Sequence, residues 1–510
     1  MKNSKTGKAE EAVRGEPSDA LLSVDRRRFL EASGFALFVA ALSGCSRAPT
    51  RTVLSPPSGG EGSAAGLARY YASTCGGCPA GCGVLVKTCD GRPIKLEGNP
   101  DHALSQGGLC AVGQAEVLGL YDSQRLREPA LDGQAADWSG VDDRVRKGLA
   151  AAKNNNRSVV LLTGTIHSPT TRATIAKFLA DVPGARHVAY DPLSASAIAK
   201  GHETTHGVRA VPHYRFESAD VVVSLGADFL GTWISPVEYA AGYRARRAPA
   251  GSPPQMSYHL QIESRMSLTG GNADERWAVP PDALSAIAGR LAVELAALAG
   301  RKLDGAPPAG PIADSQIKAI AERLWHARGK SLLVCDSQDV PTQILCNWIN
   351  GLLDGYGKTL EIATESRQRS GDDAALADML DQLDKGGIGV LVVAGVNPVY
   401  DLPEGRKLAE RLRGGKVPLV VRLGTHADET AAAAHCVCPE SHWLESWGDA
   451  EPVAGVLSLC QPTIPRIGSS RSLLECLLAW SQPRTPADFD PATAAYNAVR
   501  EHWQHGVFPR

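Results

Sequence analysis

Cys75, Cys78 and Cys82 stand at Cys-x2-Cys-x3-Cys spacing, and Cys110 follows after 27 intervening residues. Three thiols this close together constrain the 510-residue chain more than any other feature. They can face one centre only if the backbone turns sharply between them. Gly76, Gly77, Gly81 and Gly83 permit such turns and let amide N–H groups approach sulfur closely. The fourth thiol must arrive from a neighbouring loop. Four thiolates at the corners of a compact box are what an iron–sulfur cubane requires. Structural zinc also takes four cysteines, but zinc ribbons favour two matched Cys-x2-Cys knuckles. Here one arm is a triplet and the other a single residue. The spacing therefore predicts one [4Fe–4S] cluster held by Cys75, Cys78, Cys82 and Cys110. Cys89 lies between the two arms with no partner at ligand spacing and reads as a small buried residue.

The N-terminus speaks to compartment. Asp25-Arg26-Arg27-Arg28-Phe29-Leu30 precedes an apolar stretch from Gly34 to Gly44. Those 11 residues are too short for a ~30 Å hydrocarbon core and read as the apolar region of an export signal. Arg26 and Arg27, followed by x-Phe-Leu, match a twin-arginine signal. Leu42-Ser43-Gly44-Cys45 matches a lipoprotein processing box, so Cys45 is the expected site of lipidation. The expected location is the periplasmic face of the cytoplasmic membrane. Residues 1–44 are then the signal and 45–65, rich in Ser, Pro and Gly, a flexible tether. Beyond residue 44 there remain 46 basic and 49 acidic residues, a formal charge of −3. No basic surplus argues for nucleic acid. Twelve cysteines are too few for a disulfide scaffold of this length.

Short apolar runs ending in glycine turns recur along the chain. Val84-Leu85-Val86-Lys87 falls in the cysteine region. Val159-Val160-Leu161-Leu162, Val221-Val222-Val223-Ser224-Leu225, Ser331-Leu332-Leu333-Val334, Val390-Leu391-Val392-Val393 and Leu419-Val420-Val421 follow. Helix-like stretches separate them, one around Thr171–Val182. Strand, glycine turn and helix in alternation predict parallel α/β sheets. The expected order is a small [4Fe–4S] domain at 66–135, then two Rossmann-like parallel-sheet α/β domains at 136–296 and 313–480. A Gly/Pro/Ala-rich linker, 297–312, separates those two, and 481–510 is a C-terminal tail.

The cysteine motif runs on into Gly91-Arg92-Pro93-Ile94-Lys95-Leu96-Glu97-Gly98-Asn99-Pro100 and Leu120-Tyr121-Asp122. Later come Asp228-Phe229-Leu230-Gly231-Thr232-Trp233, Ser267-Leu268-Thr269-Gly270-Gly271-Asn272-Ala273-Asp274, Gly395-Val396-Asn397-Pro398-Val399-Tyr400 and Leu444-Glu445-Ser446-Trp447-Gly448-Asp449. In these motifs the chain resembles the molybdopterin oxidoreductase superfamily. The nearest branch is the molybdopterin-oxidoreductase-like half of the large iron–sulfur subunit of bacterial alternative complex III. The resemblance implies an electron-transfer subunit of a quinol-oxidising respiratory complex. Its implied partners are an integral-membrane quinol-binding subunit, a ferredoxin-like multi-cluster subunit and cytochrome c.

The departures from the family are informative. Active members carry a lysine two residues after the fourth cysteine, where this chain has Val112. The stretch that supplies their molybdenum ligand corresponds to Asp191-Pro192-Leu193-Ser194-Ala195-Ser196, which holds no cysteine. Complete enzymes continue past the position of Arg510 into a domain that caps the second pterin dinucleotide, and that domain is expected to be absent. Molybdopterin guanine dinucleotide is accordingly not expected, and no catalytic residue is assigned. Gly226-Ala227-Asp228 and Gly395-Val396-Asn397-Pro398 read as ordinary strand-to-helix turns. His202, His206 and His213 are not read as a second metal site, and Trp443 and Trp447 read as core or interface. Two other readings stay open at this stage: a true molybdenum oxidoreductase completed by a partner chain, and a structural scaffold.

Overall fold

The computed structural model describes residues 67–180, 182, 184–248, 255–303, 309–485 and 488–508. The expectations placed on Arg26, Arg27, Cys45 and the tether 45–65 lie outside the described residues. The apolar runs are strands, as their composition predicts. Ala68–Thr74, Gly83–Cys89 and Arg92–Gly98 form a three-stranded antiparallel sheet that carries the cysteine loop.

Two parallel sheets make up the α/β body. The larger runs Gln134–Ala135, Ala130–Leu131, Cys436–Pro439, Leu419–Gly424, Ile388–Ala394, Ser158–Thr163, Arg186–Ala189. Its last five strands are parallel, and the first two form an antiparallel hairpin on one edge. The smaller runs Glu275–Ala278, Tyr258–Glu263, Val221–Leu225, Ser331–Cys335, all parallel. Ile388–Ala394 and Val221–Leu225 are buried at every position, because helices cover both faces of each sheet. A fourth sheet, antiparallel, joins Val456–Cys460, Gly448–Val453, Leu360–Ser366 and Val211–Tyr214.

The α/β units are therefore not the consecutive stretches 136–296 and 313–480. Ser158–Thr163 pairs with Ile388–Ala394, and Val221–Leu225 with Ser331–Cys335, so each sheet draws strands from both sides of 297–312. Composition marks a strand but carries no signal for which distant strand it will pair with. Residues 481–510 are also more than a tail. The helix Pro491–His502 buries Ala495 and Val499, and Trp503 bonds Asp449. The helix expected around Thr171–Val182 spans Pro169–Ala180, starting earlier because proline suits the first helical turn.

A buried carboxylate knits the first and last parts of the large unit. Asp142 lies on the helix Trp138–Asn154, whose Trp138, Val141 and Val145 face the sheet. It accepts from Arg471 Nη1 at 3.0 Å, Trp480 Nε1 at 3.0 Å and Thr485 Oγ1 at 2.9 Å. Trp480 ends the helix Leu473–Trp480, which starts with a capping box between Ser472 and Glu475. Asp142→Ala would strand the buried Arg471 guanidinium, and breaking a buried pair this way costs about 3–5 kcal/mol. Chemical denaturation of the variant should give an unfolding free energy lower by that margin, with the secondary-structure spectrum unchanged.

Candidate metal centre

The cysteine loop leaves the first strand at Thr74 and returns to the second at Gly83. The Cys75 N–H donates to the Cys82 carbonyl at 2.8 Å and closes it. Gly81 has φ +62°, left-handed geometry that a residue with a side chain rarely adopts. Cys110 is the N-cap of the helix Ala111–Leu120, and its Sγ accepts from the Gly113 N–H at 3.3 Å. A Cβ added at Gly113 would lie 3.6 Å from Cys75 Sγ, which places the first ligand against the helix that starts at the fourth.

The structure brings together all four cysteines named by the spacing. Cys75 and Cys82 are buried, Cys110 is half-buried and Cys78 is exposed. Burial pushes the Cys75 thiol up to about 12, the neighbouring Cys78, Glu116 and Cys110 adding to it. Cys82 is pushed further in the same direction, by burial first and then by Cys75, Cys78 and Cys110. Cys78 is also raised, chiefly by the protein crowded around its thiol despite its surface position. Mutually repelling, poorly solvated sulfurs become thiolates only beside a compensating cation, which is what iron supplies. Among the described residues, no three His, Cys, Asp or Glu side chains converge tightly enough to grip one ion. Four cysteine thiols are the ligand set that a [4Fe–4S] cubane takes, and Cys75, Cys78, Cys82 and Cys110 would hold it here. Such a cluster would carry one electron at a time.

Side chains from distant parts of the chain hold the loop from outside. A Cβ added at Gly76 would sit 2.6 Å from Trp443 Cβ and Cγ, so the indole packs directly on the loop backbone. Trp443 Nε1 donates to Glu116 at 3.1 Å, and His442 Nε2 lies 3.6 Å from the same carboxylate. Hydrogen bonds to His442 and Trp443 hold the Glu116 carboxyl below its ordinary range. Glu445, in the same turn, forms a buried pair with Arg125 at 2.7 Å. On another side the Gln368 amide donates to Ala80 O at 3.1 Å. Sequence reasoning missed Glu116, His442, Arg125 and Gln368, because each meets the loop or its clamp across hundreds of residues. Trp443 was read as core or interface, and it is packing.

Other expectations resolve plainly. Cys89 is not buried: it is half-exposed at the end of its strand, where the hairpin turns at Asp90 and Gly91. Cys335, Cys346, Cys436, Cys438 and Cys476 are buried core residues. The stretch His202-Glu203-Thr204-Thr205-His206 spells His-Glu-x-x-His, a spacing that suits zinc on a helix. Here His202 is buried, its Nδ1 bonded to Ile198 O and its Nε2 to Tyr356 OH, and its ring stacks on His206. It is packing. His213 pairs with Glu238 at 2.5 Å. Ser194 and Ser196 serve the backbone and Asp373.

Loops at the carboxyl ends of parallel strands are where a dinucleotide would lie, and here the chain's own carboxylates fill them. Asp449 sits at the N-terminus of Pro169–Ala180, accepting from Thr170 N at 3.3 Å, Thr170 Oγ1, Ser168 Oγ and Trp503 Nε1. Asp191 accepts from Thr165 N at 3.2 Å, Thr165 Oγ1 at 2.8 Å and Gly371 N at 3.0 Å. Asp401 accepts from Asn397 N at 3.2 Å and Tyr190 OH at 2.9 Å. At the ends of the smaller sheet, Asp228, Glu263 and Asp336 line a hollow with one cation, Arg265. A phosphate needs free N–H donors and positive charge. These residues do not fit a pterin dinucleotide.

Each of Cys75→Ser, Cys78→Ser, Cys82→Ser and Cys110→Ser should lower bound iron well below the wild-type value, and Gly76→Ala should do so through its clash with Trp443. Cys89→Ser should leave iron unchanged. Iron and sulfide analysis of the purified variants checks the set.

Known proteins place this geometry. Residues 68–117 match the molybdopterin oxidoreductase Fe4S4 domain, a span that includes all four cysteines. The chain is 26% identical over 450 residues to the molybdopterin-binding-like subunit of menaquinone reductase from Nitratidesulfovibrio vulgaris, covering 79% of this chain and 63% of that protein. It is 22% identical over 536 residues to the molybdopterin-containing subunit of an arsenate respiratory reductase from Shewanella sp., covering 80% of this chain and 60% of that one. The chain thus spans less than two thirds of the length of either relative. Among solved structures, acetylene hydratase from Pelobacter acetylenicus shares the fold with a TM-score of 0.61 at 12% identity, over 80% of this chain and 68% of that one. The chain therefore carries a molybdopterin oxidoreductase Fe4S4 domain at residues 68–117, and over most of its length it is similar to proteins of the molybdopterin oxidoreductase superfamily.

Proposed function

We propose that this chain is an iron–sulfur electron-transfer subunit of a membrane-bound, quinol-oxidising respiratory complex of the alternative complex III kind. It works at the periplasmic face and holds one [4Fe–4S] cluster, without molybdenum. The observation that carries the reading is the convergence of Cys75, Cys78, Cys82 and Cys110 in one loop-and-helix pocket. The printed name of the menaquinone reductase relative, a molybdopterin-binding-like subunit of a quinone enzyme, supports it. So do the carboxylates in the strand-end loops, which take the donors a pterin dinucleotide would use. Electrons would pass between a quinol-binding membrane subunit and a ferredoxin-like multi-cluster subunit, with cytochrome c as a downstream acceptor. None of the helices among the described residues is long and apolar enough to cross a membrane. Attachment then rests on the lipid at Cys45 and on those partners.

Purified chain should contain about four irons and four sulfides, no stoichiometric molybdenum or zinc, and a cubane signal by electron paramagnetic resonance after reduction. Molybdenum near one per chain would sink the reading in favour of an active molybdoenzyme. In cells, changing Arg26 and Arg27 together to Lys should leave the precursor in the cytoplasm. Cys45→Ala should release the mature protein from membranes of a strain lacking the partner subunits. Fractionation reads both.

A further inference from the structure

We propose that the larger sheet carries a phosphate-binding cleft at the amino ends of its strands, which holds the phosphate of an anionic lipid head group or a free phosphate anion. The proposal does not depend on the cluster reading.

The cleft has a volume of about 380 Å³. It opens where the helices Trp138–Asn154 and Asp373–Asp384 end, beside the starts of the strands Ser158–Thr163 and Ile388–Ala394. That is the opposite end of the sheet from the loops held by Asp191, Asp401 and Asp449, where a dinucleotide would lie. Three cations line it, Lys153, Arg157 and Lys385, together with the amides of Asn156 and Gln382. Among the described residues, no carboxylate does. Gly184 and Gly387 leave part of its wall free of side chains.

These cations have no partners. Among the described residues, the Lys153 and Lys385 ammonium groups and the Arg157 guanidinium make no hydrogen bond, ion pair or ring contact. Asp378 and Asp384, on the helix that leads to Lys385, pair instead with Arg186 and Arg411, the second pair at 2.8 Å. Asp381 lies outside the lining. A cation is favoured at a helix C-terminus, and Lys153 and Lys385 stand at two of them. The carbonyls there are already bonded by backbone: Asn155 N, Asn156 N and Arg157 N donate to Ala151 O, Lys153 O and Ala152 O. Gly386 N and Gly387 N donate to Leu383 O and Gln382 O. Helix ends also leave Arg157 unexplained, since it lies outside both helices and is half-buried.

Three like charges around one hollow repel one another, in a chain whose formal charge is −2. An oxyanion relieves that repulsion. Phosphate fits by chemistry as well as charge: the planar fork of Arg157 suits two of its oxygens, and the ammonium groups act as point charges on the others. Asn156 offers amide N–H donors, and Gln382 keeps one beyond its bond to Asp378 at 3.2 Å. The volume falls within the range of about 300–1,000 Å³ usual for small-ligand sites.

The test uses the full purified chain in two arms. Calorimetry follows inorganic phosphate, and sedimentation follows vesicles of phosphatidylcholine with and without phosphatidylglycerol. The vesicle arm uses chain carrying Cys45→Ala, so that no acyl chain contributes. Phosphate saturating at one per chain supports the proposal with a free anion as ligand. Binding only to vesicles that contain phosphatidylglycerol supports it with a lipid head group. In whichever arm responds, K153Q, R157Q and K385Q should each weaken binding about fivefold, and the triple variant roughly a hundredfold. A control triple, K177Q, K318Q and R413Q, removes the same charge elsewhere and should bind like wild type. Iron content and melting temperature show that each variant folds, and the single variants keep the test readable if the triple does not. Silence in both arms would overturn the proposal. So would wild-type binding by the cleft variants, or an equal loss in the control triple, which would reduce the effect to net charge.

Discussion

The buried pair between Arg125 and Glu445 fixes how the small cysteine-bearing sheet meets the rest of the molecule. Both side chains are almost completely enclosed, with Nη2 and Oε2 at 2.7 Å and Nη1 and Oε1 at 3.2 Å. The fork geometry suits arginine and carboxylate; Arg125 Nη1 also donates to Leu120 O, and Glu445 accepts from His442 N and Ile467 N. An enclosed pair bonded on both sides holds the turn 442–445 against the end of the helix Ala111–Leu120. Trp443 then has one place to go, against Gly76, and His442 one carboxylate to face, Glu116. The same clamp continues along the first strand, where Thr74 Oγ1 donates to Ser458 Oγ at 2.9 Å and to Leu459 O at 3.0 Å. The small sheet is thus part of the large body's packing, and its cysteines inherit the rigidity of both.

That rigidity matters because the thiols do not favour their own assembly. Burial and mutual repulsion hold three of them in the protonated form. Without outside support, a glycine-rich loop carrying such groups would relax toward water. The support comes from the far parts of the chain, Trp443, Pro452 against Gly81, and Gln368 on Ala80. Metal binding can then draw on a loop already shaped, with less ordering entropy to overcome at the moment of binding.

Much of this was legible in the sequence, and the boundary of legibility is physical. Cys75, Cys78 and Cys82 could be read because their geometry is set within eight residues, by glycines next to them. Runs such as Val390-Leu391-Val392-Val393 could be read because a strand covered on both faces must be apolar throughout. Pairing could not be read: Ser158–Thr163 beside Ile388–Ala394 is a choice made over more than 200 positions. Gln368, Glu116 and Asp449 are polar residues whose roles exist only once the fold has brought their partners near. His202 and His206 show the converse, a motif legible in sequence whose side chains the fold spends on packing against Tyr356.

Asp449, Asp191 and Asp401 explain how the strand-to-helix turns of this dinucleotide-type architecture satisfy their own backbone donors. Strand-to-helix turns expose backbone N–H groups that in a binding protein point at phosphate. Left without an acceptor and shut away from water, each such donor costs about 1–3 kcal/mol. A carboxylate from elsewhere in the chain answers the same electrostatic demand, since it carries negative charge and more than one acceptor oxygen. Asp449 meets the orphan N–H of Thr170 at the start of Pro169–Ala180, where the helix dipole favours an anion. Asp191 gathers Thr165 N and Gly371 N from two different loops, and so ties the strand ends of the larger sheet to the turn that carries Gln368 and Arg369. Asp191 therefore also holds in place the turn whose Gln368 bonds the cysteine loop. Satisfying the strand-end donors and steadying the turn beside the cysteine loop are, in this fold, consequences of one carboxylate.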